Sequence, residues 1–189
     1  MVTDFIYRYW NNYFDKKQIK KLNCLIDKNF DFYEDYKDSA KGSDGTNKKS
    51  AVIKQIYYKK IKHLLDDFQE EFTNSANVHF GFKIFGMNDM EKCNLNIYSS
   101  KNLGKYDWHV DLSMSKIYDI KLTVLINVSE KKYQGGEFYI FNTNEIEVKE
   151  LNVPGSAIVF PSYLNHKVMP VTKGERKTLT LFLIGSKFQ

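Results

Sequence analysis

From Lys16 to Phe30 the apolar residues Ile19, Leu22, Leu25/Ile26 and Phe30 recur every three or four positions. That spacing gathers them on one face of an α-helix, and Asp15 stands where a side-chain oxygen can cap the first turn. A second stripe, Ile53, Ile56/Tyr57, Ile61, Leu64/Leu65, Phe68 and Phe72, predicts another helix of about five turns. Between the two, residues 38–50 lose apolar character and gain Gly42 and Gly45, which predicts a mobile surface loop.

After residue 77 the period shortens. Segments rich in Val, Ile, Leu and Phe alternate with polar turns at 78–85, 93–99, 106–110, 120–128, 137–141, 145–149, 156–160, 166–171 and 177–184. Gly135-Gly136 and Pro154-Gly155 punctuate them as turns. The pattern predicts a mainly β fold with N-terminal helices: a sandwich or jelly roll closed around a pocket, the helices packed on one sheet. No internal repeat appears, and one domain over residues 1–189 is expected, with 1–77 as mainly helical support and 78–189 as the β core.

Composition narrows the partners. No apolar run approaches the roughly 18–20 residues needed to cross a bilayer, and Met1-Val2-Thr3-Asp4-Phe5 lacks the basic flank and apolar stretch of a signal peptide. A cytoplasmic protein without a membrane partner is expected. Cys24 and Cys93 form no CxxC pair and read as free thiols. A net charge of +5 spread over short lysine groups is too mild and too diffuse to imply nucleic acid. His63 and His79 read as surface or partly packed histidines.

Candidate chemistry concentrates in the β half. In His109-Val110-Asp111 both side chains point to one side of an extended segment. His166 begins a later segment and faces inward with Val168 if alternation holds. Two imidazoles and a carboxylate are the ligand set of an open-faced iron(II) site, although an aspartate beside a histidine can also merely fix its tautomer. Arg176 and Thr178 share a face of the last strand, where a planar guanidinium fork and a hydroxyl suit a carboxylate. Asn94, Asn96 and Tyr98 share another face, a polar one that an ordinary core disfavours. Asn127 adds a further polar candidate on the cofactor side, with half-buried loop-end packing as the equal alternative. Trp108 reads as packing, and residues 38–50 and 99–106 as candidate borders of a substrate groove.

At these residues the chain resembles the iron(II)- and 2-oxoglutarate-dependent dioxygenases, in their prolyl-4-hydroxylase-like branch. The resemblance covers roughly residues 90–185. It is carried by Asn94-Leu95-Asn96-Ile97-Tyr98, Tyr106-Asp107-Trp108-His109-Val110-Asp111, Tyr133-Gln134-Gly135-Gly136-Glu137-Phe138, Pro154-Gly155-Ser156-Ala157-Ile158-Val159-Phe160-Pro161 and the run from His166 to Arg176. It implies a double-stranded β-helix, cupin-like, with iron held by His109, Asp111 and His166. It further implies 2-oxoglutarate held at its distal carboxylate by Arg176 with Thr178 and Tyr98, and O2 as cosubstrate with ascorbate in support. Collagen-type enzymes use lysine for that carboxylate, so arginine looks more like the bacterial and viral members. The implied reaction is hydroxylation, of proline in a protein or peptide, with release of succinate and CO2. A free amino acid or other small molecule is the alternative substrate, repair of nucleic acid is disfavoured, and a nonenzymatic metal- or ligand-binding jelly roll is the competing class.

Overall fold

Asp15 does cap the first helix, α1 (Lys16–Asn29): its carboxylate accepts from the backbone N–H groups of Lys17 and Gln18, and the Gln18 side chain accepts from the Asp15 N–H in return. The computed structural model describes residues 6–36, 40–41, 47–87, 89–112, 115 and 117–187. Among these, two sheets face each other. The larger runs in the order β1 (Arg8–Trp10), β12 (Ala157–Pro161), β8 (Tyr118–Asn127), β15 (Glu175–Ser186), β6 (Lys92–Ser99), β5 (Val52–Tyr57), β2 (Phe32–Asp35). The smaller runs β11 (Asn144–Glu147), β10 (Phe138–Asn142), β13 (His166–Val168), β7 (Lys105–His109), β4 (Asn47–Ser50), β3 (Ala40–Lys41). A short pair, β9 (Gln134–Gly135) with β14 (Val171–Lys173), stands apart. The assigned pairings are antiparallel, and the architecture is the jelly roll expected.

Alternation along the strands divides the interior in two. Leu122, Val124 and Ile126 of β8, with Leu179, Leu181 and Leu183 of β15, face the helices, where they join Ile19, Leu22 and Ile26 of α1. Phe68 and Phe72 of α3 (Asp66–Val78) close that layer, and the Phe68 ring is touched by those of Trp10, Tyr13 and Phe14. Each such side chain, fully buried, contributes about 1.5–3 kcal/mol. The opposite face of the larger sheet looks at the smaller one across Leu125, Phe138, Ile140, Phe160 and Val168. Arg176, Thr178 and Thr180 lie on that face too, so the core between the sheets is interrupted by polar groups.

Several expectations need correction. The predicted second helix is three elements: strand β5, a short helix α2 (Tyr58–Ile61) followed by a 3-10 turn at Lys62–Leu64, and α3. Ile53 and Ile56, three apart, look helical in sequence, but in β5 they point to opposite faces, one into the cavity and one into the helix-side core. Burial on both faces imitates a helical stripe, and hydrogen-bonded neighbours β2 and β6 then decide for strand. Residues 78–85 form no strand; α3 runs through Val78, and only an isolated bridge joins Ile84 to Gly185. The segment 166–171 breaks at Met169-Pro170, where proline withholds a backbone donor and the chain passes from β13 to β14. In 38–50, the described residues 40–41 and 47–50 are strands of the smaller sheet, and 38–39 and 42–46 lie outside the described residues. Strands β1 and β2 carry no sequence signal recognised above. Cys24 and Cys93 are free thiols, the second buried.

Candidate active site

His109 ends β7 and His166 begins β13, and the two residues are direct partners across the strands. Their ring centres are 4.1 Å apart. Asp111 follows β7, its Oδ2 3.4 Å from His166 Nε2 and its Oδ1 3.9 Å from His109 Nε2. One ligand atom from each of the three lies within 4.8 Å of the others.

The same device orients both imidazoles. His109 Nδ1 lies 2.8 Å from the Asp107 carbonyl oxygen and His166 Nδ1 lies 2.9 Å from that of Leu164. A carbonyl only accepts, so each Nδ1 donates its proton there and each Nε2 is the ring atom left facing Asp111. Burial first, and repulsion from His166 second, push the His109 pKa down to about 2. The 3.9 Å approach to Asp111 is therefore no ion pair but a convergence of acceptor atoms. Thr123 of β8 fixes the carboxylate from the other sheet, its hydroxyl donating to Asp111 Oδ2 over 2.7 Å. Two ring nitrogens and a carboxylate oxygen converging on one point fit a first-row transition metal.

At another part of the same cavity stands Arg176, 1% exposed. Its Nη1 donates to Thr178 Oγ1 over 3.1 Å, while Nε and Nη2 have no partner among the described residues. The Tyr98 ring lies 5.6 Å from the guanidinium carbon, and burial raises the Tyr98 phenol well above its ordinary pKa, so it stays a donor. Gly136 makes room for the arginine stem: at φ 71°, a Cβ there would lie 2.9 Å from Arg176 Cδ. A buried guanidinium with two unused donors is costly. A ligand carboxylate would supply the missing acceptors, which is the fit a 2-oxoglutarate site requires.

The cavity measures about 210 Å³. That is below the ~300–1,000 Å³ typical of drug-sized ligands, so it admits a small acid rather than a folded peptide segment. Asn94, Asn96 and Thr180 line it as well; Asn96 donates to Thr180 Oγ1 over 2.9 Å, and Gln55 donates to Asn94 Oδ1 over 3.0 Å.

Of the residues singled out by sequence, His109, Asp111, His166, Tyr98, Arg176 and Thr178 all meet in this cavity. Asn127 does not line it. Its amide nitrogen donates to the Leu151 carbonyl and the Tyr133 hydroxyl, and its Oδ1 accepts from Ser129 N–H, so its polar atoms are already used in fastening the end of β8. The Trp108 ring meets Phe141 and Lys167 and does not line the cavity. His63 is exposed and His79 engages Arg8; both stand apart from the cluster. Sequence reasoning missed Thr123, hidden in an apolar run, and Tyr36, Lys49, Gln55 and Thr180, which also line or support the cavity.

A model of the 2OG-Fe(II) oxygenase superfamily matches residues 93–184, which hold all three cluster residues and the arginine. Just under half of the chain thus matches the 2OG-Fe(II) oxygenase superfamily. The chain is also similar to a PKHD-type hydroxylase of Alteromonas mediterranea, 42% identical over 79 residues, 38% of this chain and 34% of that one. The matched part thus spans about a third of the relative's length. In fold it is similar to a Pseudomonas putida prolyl-4-hydroxylase, with TM-score 0.68 and 15% identity over 97% of this chain and 93% of the other. It is similar also to a Trichoplax adhaerens prolyl hydroxylase in complex with a hypoxia inducible factor peptide fragment, with TM-score 0.67 and 14% identity over 95% and 83% of the two chains.

Proposed function

We propose that this chain is an iron(II)- and 2-oxoglutarate-dependent hydroxylase that acts on proline in a protein or peptide. One observation carries the reading: an arginine fork with unused buried donors shares a small cavity with a two-histidine, one-carboxylate cluster. The metal would take His109 Nε2, His166 Nε2 and an Asp111 oxygen, with Thr123 holding that carboxylate in register. Arg176 would pair with the distal carboxylate of 2-oxoglutarate, Thr178 and Tyr98 adding hydroxyl donors. Iron(II) bound there with 2-oxoglutarate would supply O2-dependent hydroxylation, releasing succinate and CO2. The protein's part is to orient the acid, aim both imidazole Nε2 atoms at one point and exclude water behind Phe138 and Leu125.

Support for a peptide substrate comes from the fold, which is similar to that of a prolyl hydroxylase that holds a peptide. The small cavity volume favours a second reading, hydroxylation of a free amino acid by the same chemistry. Protein loaded with iron(II) without oxygen should bind 2-oxoglutarate, and on aeration with proline-containing peptides or L-proline should form succinate together with a product heavier by one oxygen atom. Stoichiometric iron without any 2-oxoglutarate binding would reject the enzyme in favour of a metal-binding jelly roll.

A further inference from the structure

The cavity contains a cation that the chemistry above leaves unused. Lys49 of β4 is 8% exposed and pairs directly with Tyr106 of β7. Its ammonium lies 4.3 Å from the centre of the Tyr106 ring and 4.8 Å from that of Tyr36. No hydrogen bond or ion pair to a described residue engages it, and Asp111 and Glu34 act on it only at longer range. Glu34 is itself occupied by the Tyr36 hydroxyl. Two aromatic faces soften the cost of burying the charge but do not neutralise it. Burial lowers the Lys49 pKa to about 8, which still leaves the amine mostly protonated at neutral pH.

Its place restricts what it can serve. The Tyr106 ring that carries the ammonium also stacks on His109 at 3.4 Å, so one ring separates Lys49 from a metal-ligating imidazole. Tyr36 follows β2, the edge strand of the larger sheet, so Lys49 bridges the two sheets at the rim of the cavity. Arg176, on β15, takes one carboxylate of the cosubstrate under the function proposed above, and the metal takes the other. A third anion is left for Lys49.

We propose that Lys49 receives a carboxylate of the molecule being hydroxylated, its ammonium held in position by Tyr36 and Tyr106. The substrate is thereby an acid: a peptide with Asp or Glu beside the target residue, or a free amino acid presenting its own carboxylate. This inference rests on the hydroxylase reading and adds to it the sign of the charge that aligns the C–H bond.

The test uses the iron(II)-loaded protein without oxygen, with 2-oxoglutarate followed by its visible charge-transfer absorption and substrate binding followed by calorimetry. The probes are the blocked peptides Ala-Glu-Pro-Ala and Ala-Gln-Pro-Ala, and L-proline against L-prolinamide. A charge-assisted hydrogen bond should favour the acidic member of one pair by roughly tenfold or more. Preference within the peptide pair assigns a side-chain carboxylate, and preference within the proline pair assigns a free one. Lys49→Met should abolish the preference and leave the 2-oxoglutarate midpoint unmoved, while Lys49→Arg should retain part of it. Three outcomes overturn the proposal: no acid preference in the native protein, a preference that survives in Lys49→Met, or a shifted 2-oxoglutarate midpoint, which would give the cation to the cosubstrate. A native protein that binds iron but never 2-oxoglutarate overturns the hydroxylase reading itself.

Discussion

Replacing Arg176 with methionine should stabilise the ligand-free protein while destroying its response to 2-oxoglutarate. The arginine is buried, and among the described residues it has one hydrogen bond, to Thr178, and two unpaired donor nitrogens. Methionine fills a similar length beside Gly136 and Val171 and removes the charge. The substitution forfeits about 1 kcal/mol of hydrogen bond and roughly 0.5–1 kcal/mol of contact with the Tyr98 ring. Against this, exchanging buried charges for well-packed apolar groups commonly gains about 1–4 kcal/mol, and this guanidinium has no carboxylate partner among the described residues. Net gain is expected, at about 2–4 °C per kcal/mol for a chain of this size. In the native protein, metal and 2-oxoglutarate at about a hundred times its Kd should add about 2.7 kcal/mol and raise Tm by several degrees. The variant should show no such rise. Calorimetric melting of both proteins, with manganese(II) as a redox-quiet metal and with or without 2-oxoglutarate, reads both effects. A ligand-free variant that melts below the native protein would make Arg176 a structural residue, and a surviving 2-oxoglutarate shift would refute the clamp.

Other consequences are separately measurable. His166→Ala should lose stoichiometric iron in an anaerobic titration, since the remaining pair cannot close the cluster. Thr123→Val keeps the shape but removes the 2.7 Å bond to Asp111, and metal affinity should fall roughly 10–100-fold by competition with a chelator. Gly136→Ala forces a Cβ to 2.9 Å from both Arg176 Cδ and Val171 Cγ2 at a positive φ; a loss of roughly 1–3 kcal/mol in denaturant unfolding should accompany weaker 2-oxoglutarate binding. For Lys49 the folded pKa of about 8 lies below its ordinary 10.5, so the unfolded chain holds more protons between those values and stability rises with pH across that window. The stability advantage of Lys49→Met, followed by denaturant unfolding, should therefore be greatest below pH 8, on the order of 3 kcal/mol, and fade toward pH 10.5.

The β half was legible because its chemistry follows strand parity. Arg176 with Thr178, and Tyr98 with Asn96, share faces by simple alternation, and β15 pairs with β6 so that Arg176 meets Tyr98 and Thr178 meets Asn96. His166 opposite His109 was beyond any spacing argument, being a matter of which strands become neighbours; the family resemblance implied the ligand but not this pairing. For Asn127, offered as a polar candidate or as loop-end packing, the packing alternative holds: it shares the face of Thr178 but spends its hydrogen bonds on Leu151, Tyr133 and Ser129. Lys49 was illegible for a different reason. Its neighbours are polar, so the stretch reads as a loop, and only the tertiary pairing of β4 with β7 buries it. Strand β5 failed through its own success at burial, apolar on both faces and so indistinguishable from a helix in one dimension.

The hydrogen bond from Thr123 to Asp111 has a mechanical meaning. Both histidines belong to the smaller sheet, but the third member of the cluster is moored to β8 of the larger one. The mooring continues through the backbone: Asp111 N–H donates to the Ser162 carbonyl, and Ser162 N–H donates to that of Lys121. A metal seated among the three would act as a rivet through both leaves of the sandwich. Metal loading should slow amide exchange in β8 and in β13 together, as one breathing unit, while α1 on the far side of the larger sheet keeps its own tempo.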